Sequence, residues 1–368
     1  MTAVLKPRKL AMLGIVALLA TGLAACSTSS PGTSPSGTPA DVNPLKGKTL
    51  NMAVPYAPGG SYDRLARGIQ NGFAGASDAT VVVLNEPGAG SLLSTNRTYA
   101  TGTKEFRLGL MNTVGVVAAQ LAGAAADGVK FDLAKFEWIG SFSSEPEVLV
   151  TAKNSKLAAP GALLKALRDG TELRYGATGP GDNTWIDAFL LRDVLGLNVK
   201  IVSGFSGAPD IYSAVLRGDV DFTMTSLASA LTPIVAGDAT PILYVGDDMK
   251  QFDEAYGILS KIKTVKEFAS EAGISEAKYT TFIEPYLALL TINRTLVAPP
   301  GTSAEVVKAY RTAFDAAAGD KELVASSAKQ RLYIQPKNGE ETAKIIKQAL
   351  DAESDFVDLL KRSFSEKN

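Results

Sequence analysis

The sequence predicts an α/β protein made of two blocks, and three observations favour this fold class. Short apolar runs such as 49–54 recur along the chain and have the length of buried strands. Between them, apolar residues recur every four positions on one helical face, as Leu65, Ile69 and Phe73 do. The chain has 368 residues, which is enough for two domains with their own cores. This alternation predicts mostly parallel sheets covered by helices.

The first block begins near residue 48. Its predicted strands are 49–54, 80–84, 106–111, 136–140 and 148–151. Helices are predicted after each of the first three strands, because Gly- and Pro-rich loops or small residues lead into segments of helical periodicity.

The second block begins near residue 153, and glycines end several of its helices. Its predicted strands are 172–177, 199–202, 220–224 and 242–245, and its clearest helices are 184–195 and about 211–216. Residues 248–280 are polar and less regular. The remaining predicted elements are a strand at 287–297 and helices at 304–317 and about 340–362.

The composition excludes several classes of function. Of all residues, 46% are hydrophobic and 20% are charged, as in an ordinary globular protein. Because the chain has no His and one Cys, it cannot build a Ser-His-Asp nucleophile, a His-ligated metal site or an intrachain disulfide. The formal net charge of −1 argues against a nucleic-acid partner. We therefore expect no metal, no cofactor and no nucleic acid.

The amino-terminal segment is typical of a secreted lipoprotein. Three basic residues within the first nine precede an apolar run at 10–20 and then small residues. The sequence Leu-Ala-Ala-Cys that ends at Cys26 resembles the lipobox of bacterial lipoproteins, which predicts a signal peptide at 1–25 and diacylation of Cys26. The alternative is a Cys buried in a membrane anchor helix. The composition of residues 26–47 predicts a flexible tether. The expected location is therefore extracytoplasmic, lipid-anchored to the outer face of the cell membrane.

Four loops at the carboxyl ends of predicted strands are rich in Gly and hydroxyl residues, and this is where α/β proteins bind ligands. They are 55–62, 85–91, 176–184 and 203–209, and none contains Lys or Arg. Taken singly, such loops are often tight turns, but their presence in both blocks favours a site between the blocks. An anion bound there would depend on backbone N–H groups, hydroxyls and the positive ends of helix dipoles.

The loop after the first strand carries three further expectations. A side chain at Gly60 should obstruct a ligand or strain φ. Asp63 precedes Arg67 by four residues, which indicates either a surface ion pair or a brace for the first helical turn. Arg64 lies beyond the loop, and we expect it to point to solvent.

Six segments resemble, in order, motifs of the tripartite tricarboxylate transporter substrate-binding proteins, also called the Bug family. The most specific is 55–67 (PYAPGGSYDRLAR), which resembles the pattern P-[FY]-x-P-G-G-x-x-D-x-x-A-R. The others are 85–90 (NEPGAG), the pair 136–140 and 146–150, 175–179 (YGATG), 207–221 and 297–302 (VAPPGT). The resemblance covers about residues 48–350.

This resemblance implies a two-lobed type II periplasmic binding protein with a ligand cleft between the lobes. Residues 48–148 and 249–368 would form one lobe and residues 149–248 the other, with hinge crossings near 149–153 and 243–248. The implied function is a receptor, not an enzyme. It would capture a small carboxylate, such as a di- or tricarboxylate, for the membrane permease subunits of a tripartite tricarboxylate-type transporter, and we expect it to be a monomer.

The resemblance also implies that ligand contacts come from loops on both sides of the cleft, largely through backbone amides and hydroxyls. The implied ligand-binding residues are Tyr56, Ala57, Gly59, Gly60, Ser61, Asn85, Gly88, Asn112, Thr113, Thr178, Asn183, Thr184, Phe205, Ser206, Ala208 and Asp210.

Other ligands and functions stay open at this point. Glu145, Asp182 and Asp210 lie near the loops and could receive an amino group, so an amino acid is another ligand hypothesis. A sensor lipoprotein would bind the same ligand and present its closed form to a signalling partner. A secreted carboxylate-based hydrolase would need a pair of acids, and its candidates are Asp63, Glu86, Glu145 and Asp182.

Overall fold

The computed structural model describes residues 43–123, 128–143, 146–246, 257–332, 334–351 and 355–365. The predicted signal peptide, Cys26 and most of the predicted tether lie outside these ranges, as does Glu145. Within them, strands and helices alternate along most of the chain.

The strands of the described ranges are β1 (Thr49–Val54), β2 (Thr80–Asn85), β3 (Phe106–Met111), β4 (Glu137–Ser143), β5 (Glu147–Ala152), β6 (Leu173–Gly176), β7 (Val199–Val202), β8 (Phe222–Ser226), β9 (Ala239–Val245), β10 (Lys263–Thr264), β11 (Asn293–Ala298) and β12 (Lys337–Asn338). The α-helices are α1 (Ser61–Ser77), α2 (Leu92–Thr101), α3 (Thr113–Ala122), α4 (Ala162–Asp169), α5 (Asn183–Phe189), α6 (Ala208–Arg217), α7 (Leu227–Ala236), α8 (Val265–Glu271), α9 (Glu276–Leu290), α10 (Ala304–Gly319), α11 (Lys321–Lys329), α12 (Gly339–Leu350) and α13 (Asp355–Ser365).

The first six-stranded sheet has the order β12-β4-β11-β3-β1-β2. β1 pairs in parallel with β2 and β3, whereas β11 runs antiparallel to both β3 and β4. Met52 and Leu108 on this sheet belong to the same buried core as Phe73 of α1 and Phe314 of α10. We call this sheet with α1, α2, α10 and α11 the first lobe.

The second six-stranded sheet has the order β10-β9-β5-β8-β6-β7. β6 is parallel to β7 and β8, whereas β5 is antiparallel to β8 and β9. We call this sheet with α4 to α8 the second lobe. The expectation of mostly parallel sheets is therefore wrong. Each sheet is mixed, because each receives near its centre a strand, β11 or β5, by which the chain enters from the other lobe.

The second sheet takes one strand from beyond residue 248, where the sequence places the end of that lobe. Lys263 and Thr264 form β10 and pair in parallel with β9. A two-residue strand in a polar segment has no periodic signal, so the sequence does not indicate it. The same segment contains α8, whose start is fixed by a capping box between Thr264 and Glu267.

Residues 287–297 do not form one strand. α9 ends at Leu290, and β11 begins at Asn293. The buried residues Ile283, Tyr286, Leu287 and Leu290 have helical spacing. The prediction of one strand at 287–297 is therefore wrong for its first four residues, because a short apolar run is compatible with both a buried helix and a strand. The predicted helix 340–362 is likewise two helices, α12 and α13.

A layer of helices joins the lobes. α3, which follows β3 of the first lobe, packs against α5 of the second lobe, and α13 contacts both. The indole N–H of Trp185 on α5 donates to the carbonyl oxygen of Ser363 on α13 at 3.2 Å. Trp185 is 1% exposed, so the last helix of the described chain closes the core between the lobes.

Candidate functional site

A small cavity lies between the two lobes, at the carboxyl ends of β1, β6 and β8. Its volume is about 40 Å³, far below the roughly 300–1,000 Å³ of ordinary ligand pockets. The first lobe contributes Tyr56, Ala57, Gly60, Ser61, Tyr62 and Asn293. The second lobe contributes Glu147, Thr178, Asp182, Asn183, Thr184, Gly207, Ala208, Pro209, Thr225, Ser226 and Ser229. The cleft is closed in this structure.

Direct hydrogen bonds hold the lobes together around this cavity. The hydroxyl of Ser91 donates to the carbonyl oxygen of Gly181 at 2.6 Å. The guanidinium of Arg64 donates across the cleft to the carbonyl oxygen of Ala228 at 2.7 Å. The expectation that Arg64 points to solvent is wrong, because the first turn of α1 faces the second lobe.

A very close backbone approach between the lobes is at Gly115, in the first turn of α3. A Cβ atom at this position would lie 2.1 Å from the carbonyl oxygen of Gly181 and 2.5 Å from the amide nitrogen of Asp182. Such distances are shorter than any van der Waals contact. Only glycine at residue 115 therefore permits the closed arrangement.

Three helix amino termini face the cavity without a side-chain cap. α1, α6 and α7 begin after Gly60, Gly207 and Ser226, and none of these three residues makes a side-chain capping hydrogen bond. The first N–H groups of a helix have no partner within the helix and carry the positive end of its dipole. α5 differs, because Asp182 caps it by accepting from the N–H of Thr184 at 2.8 Å. The uncapped termini form a setting suited to an anion.

The loop between β1 and α1 is held by Asp63, as one of the two alternatives from the sequence proposed. Asp63 accepts hydrogen bonds from the N–H of Gly59 at 2.9 Å, from Arg67 at 2.9 Å and from Asn85 at 3.0 Å. Burial raises the pKa of Asp63, but these hydrogen bonds outweigh it and leave the pKa below its usual value. The carboxylate thus stays ionised and fixes the loop.

A buried polar network connects the lobes on one side of the cavity. The Tyr56 hydroxyl donates to Asp182. The side-chain amide of Asn112 donates to the Tyr56 oxygen at 2.7 Å, to Asp182 at 3.0 Å and to Asn183 at 2.8 Å. Burial raises the pKa of Asp182, while hydrogen bonds from Thr184 and Tyr56 act in the opposite direction. This network stabilises the closed cleft.

A buried arginine lies beside the cavity. The guanidinium of Arg294 donates to the hydroxyls of Ser61 at 3.0 Å and Ser226 at 2.9 Å, one from each lobe. It also lies 5.1 Å from the centre of the Tyr62 ring. Burial lowers the pKa of Arg294 to about 10, so it is charged at neutral pH. The loops themselves contain no Lys or Arg, and the positive charge comes from β11 instead.

The structure separates the predicted ligand-binding residues into two groups. Those that line the cavity are Tyr56, Ala57, Gly60, Ser61, Thr178, Asn183, Thr184 and Ala208. Those that do not line it are Gly59, Asn85, Gly88, Asn112, Thr113, Phe205, Ser206 and Asp210. Most of the second group shape the backbone around the cavity.

In the first lobe, these residues form turns and caps. Gly59 and Gly88 have φ values of +88° and +142°, which favour glycine at both turns. Asn85 donates to the carbonyl oxygen of Tyr56 at 2.9 Å. Asn112 caps α3, and Thr113 donates to Thr295 at 3.0 Å. Short polar side chains of this kind also bond to the backbone in turns and caps, so residue type alone does not separate the two roles.

In the second lobe, Phe205 packs against the apolar cluster of Ile211 and Val220 instead of the cavity. Asp210 is exposed and accepts from the N–H of Ser206 at 3.3 Å. Gly60 has a φ of −70°, and a Cβ there would make only ordinary contacts at 3.8 Å or more. Substitution of Gly60 therefore strains no dihedral angle, and that part of the expectation is wrong.

Several lining residues were missed by the sequence analysis. Glu147, Thr225 and Ser226 lie at the ends of β5 and β8, and Asn293 begins β11. Strand pairing brings them to the cavity from distant parts of the chain, and the one of them within a recognised segment, Glu147 in 146–150, was assigned there to a strand and not to the site. The one available signal was Arg294, the single charged residue between positions 287 and 297.

Two absences hold for the described ranges. They contain no group of three or more Cys, Asp or Glu side chains placed to hold a metal ion. No helix within them is both long and apolar enough to span a bilayer.

Comparison with known proteins gives consistent results. A family model described as the tripartite tricarboxylate transporter family receptor matches residues 65–361. The chain is 24% identical over 299 residues to Protein BugT of Bordetella pertussis, which spans 79% of this chain and 83% of that protein. The structure of the periplasmic binding protein BugD matches with a TM-score of 0.68 at 18% identity, covering 87% of this chain and 99% of that one. MatC from Rhodopseudomonas palustris with bound malate gives the same TM-score and identity, covering 86% and 99%. These structural matches confirm the predicted two-lobed fold.

Proposed function

Because this chain belongs to the tripartite tricarboxylate transporter receptor family, we propose that its cleft captures a small carboxylate for the membrane permease of such a transporter. The family match over residues 65–361 confirms the resemblance seen in the sequence motifs. Its members are solute-binding receptors that work outside the cytoplasm. For this chain, we propose the class of ligand, the permease partner and the membrane anchor.

The observation that carries the proposal is the convergence of three uncapped helix amino termini on one interlobe cavity. The N termini of α1, α6 and α7 supply N–H donors. In α7 these are the N–H groups after Leu227, whose own N–H donates to the carbonyl oxygen of Pro146 at 2.8 Å. The hydroxyls of Ser61 and Ser226 lie beside them and are held by Arg294. This set of donors suits a carboxylate. The malate bound in MatC, a protein of the same fold, is a ligand of this class.

The proposal includes a hinge motion. A cavity of about 40 Å³ is too small for a dicarboxylate, so the lobes open for entry and close over the ligand. The hinge crossings expected from the sequence, near 149–153 and 243–248, are part of this proposal. A ligand that binds the closed form better shifts the population toward it.

A thermal-shift screen tests the proposal. Mono-, di- and tricarboxylates and amino acids are added to the purified protein, with the corresponding amides as controls that lack a carboxylate. A ligand at a hundredfold excess over its Kd should stabilise the protein by about 2.7 kcal/mol. If no carboxylate raises the melting temperature more than its amide, the proposal is wrong.

We also propose that Cys26 anchors the receptor to the outer face of the membrane. It is the single Cys of the chain and ends a lipobox-like sequence. In the native host, the wild-type protein should be found in the membrane fraction with the added mass of a diacylglyceryl group. Cys26→Ala should lose that mass and leave the fold between residues 43 and 365 unchanged. A soluble, unmodified wild-type protein would contradict the anchor.

A further inference from the structure

Glu147 has an unusual position in the cavity wall. It is the first residue of β5, directly where the chain enters the second lobe, and it is 0% exposed. It lines the interlobe cavity. Neither of its carboxylate oxygens has a hydrogen-bond partner, and among the buried carboxylates of the described ranges this is true of Glu147 alone.

A buried carboxylate without a partner destabilises a folded protein, because water no longer solvates the charge and nothing replaces it. Burial raises the pKa of Glu147, and the nearby Asp187 and Asp182 raise it further. The side-chain amide of Asn183 lies close enough to lower this pKa, but its geometry does not complete a hydrogen bond to either oxygen. The other two acids accept hydrogen bonds. Asp182 accepts from Asn112 and Thr184, and Asp187 accepts from the Tyr286 hydroxyl at 2.5 Å.

Acidic and positive groups lie at different places around the cavity. Both charged side chains that line it, Glu147 and Asp182, are acidic, and Asp187 lies behind them on α5. The positive groups are the amino termini of α1, α6 and α7 together with Arg294, whose guanidinium is held by Ser61 and Ser226. A ligand with negative charge alone would satisfy the positive groups and be repelled by the acids.

We propose that the ligand of this receptor carries a protonated nitrogen besides its carboxylate, as an amino acid does, and that Glu147 receives this nitrogen. The inference rests on the proposed function, because the carboxylate end of the ligand occupies the donors already described. The nitrogen supplies N–H donors to both free oxygens of Glu147. Its positive charge also offsets the negative charge of the acidic wall. Glu147 then selects among carboxylates of similar size.

Matched ligands test this inference on the wild-type protein. Aspartate and succinate share a carbon skeleton and differ in one ammonium group, as do glutamate and glutarate. By calorimetry, the better-fitting amino acid should bind roughly ten- to a hundredfold more tightly than its deaminated partner, as expected for a charge-assisted hydrogen bond. If the deaminated acid of each pair binds equally or more tightly, the inference is wrong and the proposed function stands. If no carboxylate binds at all, the proposed function fails, and this inference fails with it.

The variant Glu147→Gln tests the residue. It keeps the shape of the side chain and removes its charge, so the preference for the amino acid should fall to less than about threefold. Glu172→Gln is the matched control, because Glu172 is an exposed acid of the same lobe, and it should keep the full preference. Glu147→Asp, which keeps the charge, should retain part of the preference and serves if the Gln variant does not fold. An unchanged preference in folded Glu147→Gln would overturn the assignment.

Discussion

Gly115→Ala should abolish tight ligand binding while the protein remains folded. The added methyl group would lie 2.1–2.5 Å from the backbone of Gly181 and Asp182 in the other lobe, so the closed form becomes inaccessible. We expect the methyl group to be accommodated when the lobes move apart, because the atoms that it meets belong to the other lobe. In a helix, Ala is in fact favoured over Gly by about 1 kcal/mol. We expect the affinity for any carboxylate that the wild type binds to fall at least about a hundredfold.

Calorimetry and small-angle X-ray scattering measure this effect together. The wild-type radius of gyration should decrease when ligand saturates the protein, whereas that of Gly115→Ala should not. Gly68→Ala is the matched control, since residue 68 lies in α1 and a Cβ there meets nothing closer than 4.0 Å. Wild-type affinity in Gly115→Ala would show that binding does not require the closure seen here.

Arg294→Met should weaken carboxylate binding by about a hundredfold. The substitution removes the buried positive charge and its hydrogen bonds to the hydroxyls of Ser61 and Ser226. Hydrogen bonds to charged groups contribute about 1.5–3 kcal/mol each, which corresponds to roughly ten- to a hundredfold in Kd.

Two further variants complete that experiment. Arg294→Lys keeps the charge but loses the planar fork, so its affinity should lie between those of wild type and Arg294→Met. Arg174→Gln removes an arginine from an exposed pair with Asp221 and should bind as wild type does. If Arg294→Met binds normally, the helix termini hold the carboxylate without help from this arginine.

Local signals explain which parts of the fold were predictable. β1, β3 and β7 have the residues expected from the sequence, because each is a short apolar run bounded by turn residues. The loop 55–60 was identified for the same reason. α9 was not, because its last turn and β11 form one apolar stretch in the sequence, and a short stretch of this kind is compatible with a helix or a strand.

The site was predictable only where it consists of loops. Tyr56, Ser61 and Thr184 lie in the loops and first helical turns that follow β1 and β6, and the position of a strand end is a local property. Glu147 and Arg294 reach the cavity through the pairing of strands that are far apart in sequence. The register of the sheets determines where these two residues lie, and a single sequence does not show that register directly.

The position of β11 within the first sheet has a consequence for how the chain folds during its synthesis. β11 joins β3 and β4, and the contact between Thr113 and Thr295 spans 182 positions. The second sheet, by contrast, is assembled from one uninterrupted stretch between Glu147 and Thr264. Long-range pairing is slow, because a large loop must close before any contact forms. A chain that emerges amino terminus first therefore completes the second lobe early, while β3 and β4 keep unpaired edges, open to aggregation, until nearly three hundred residues have been released.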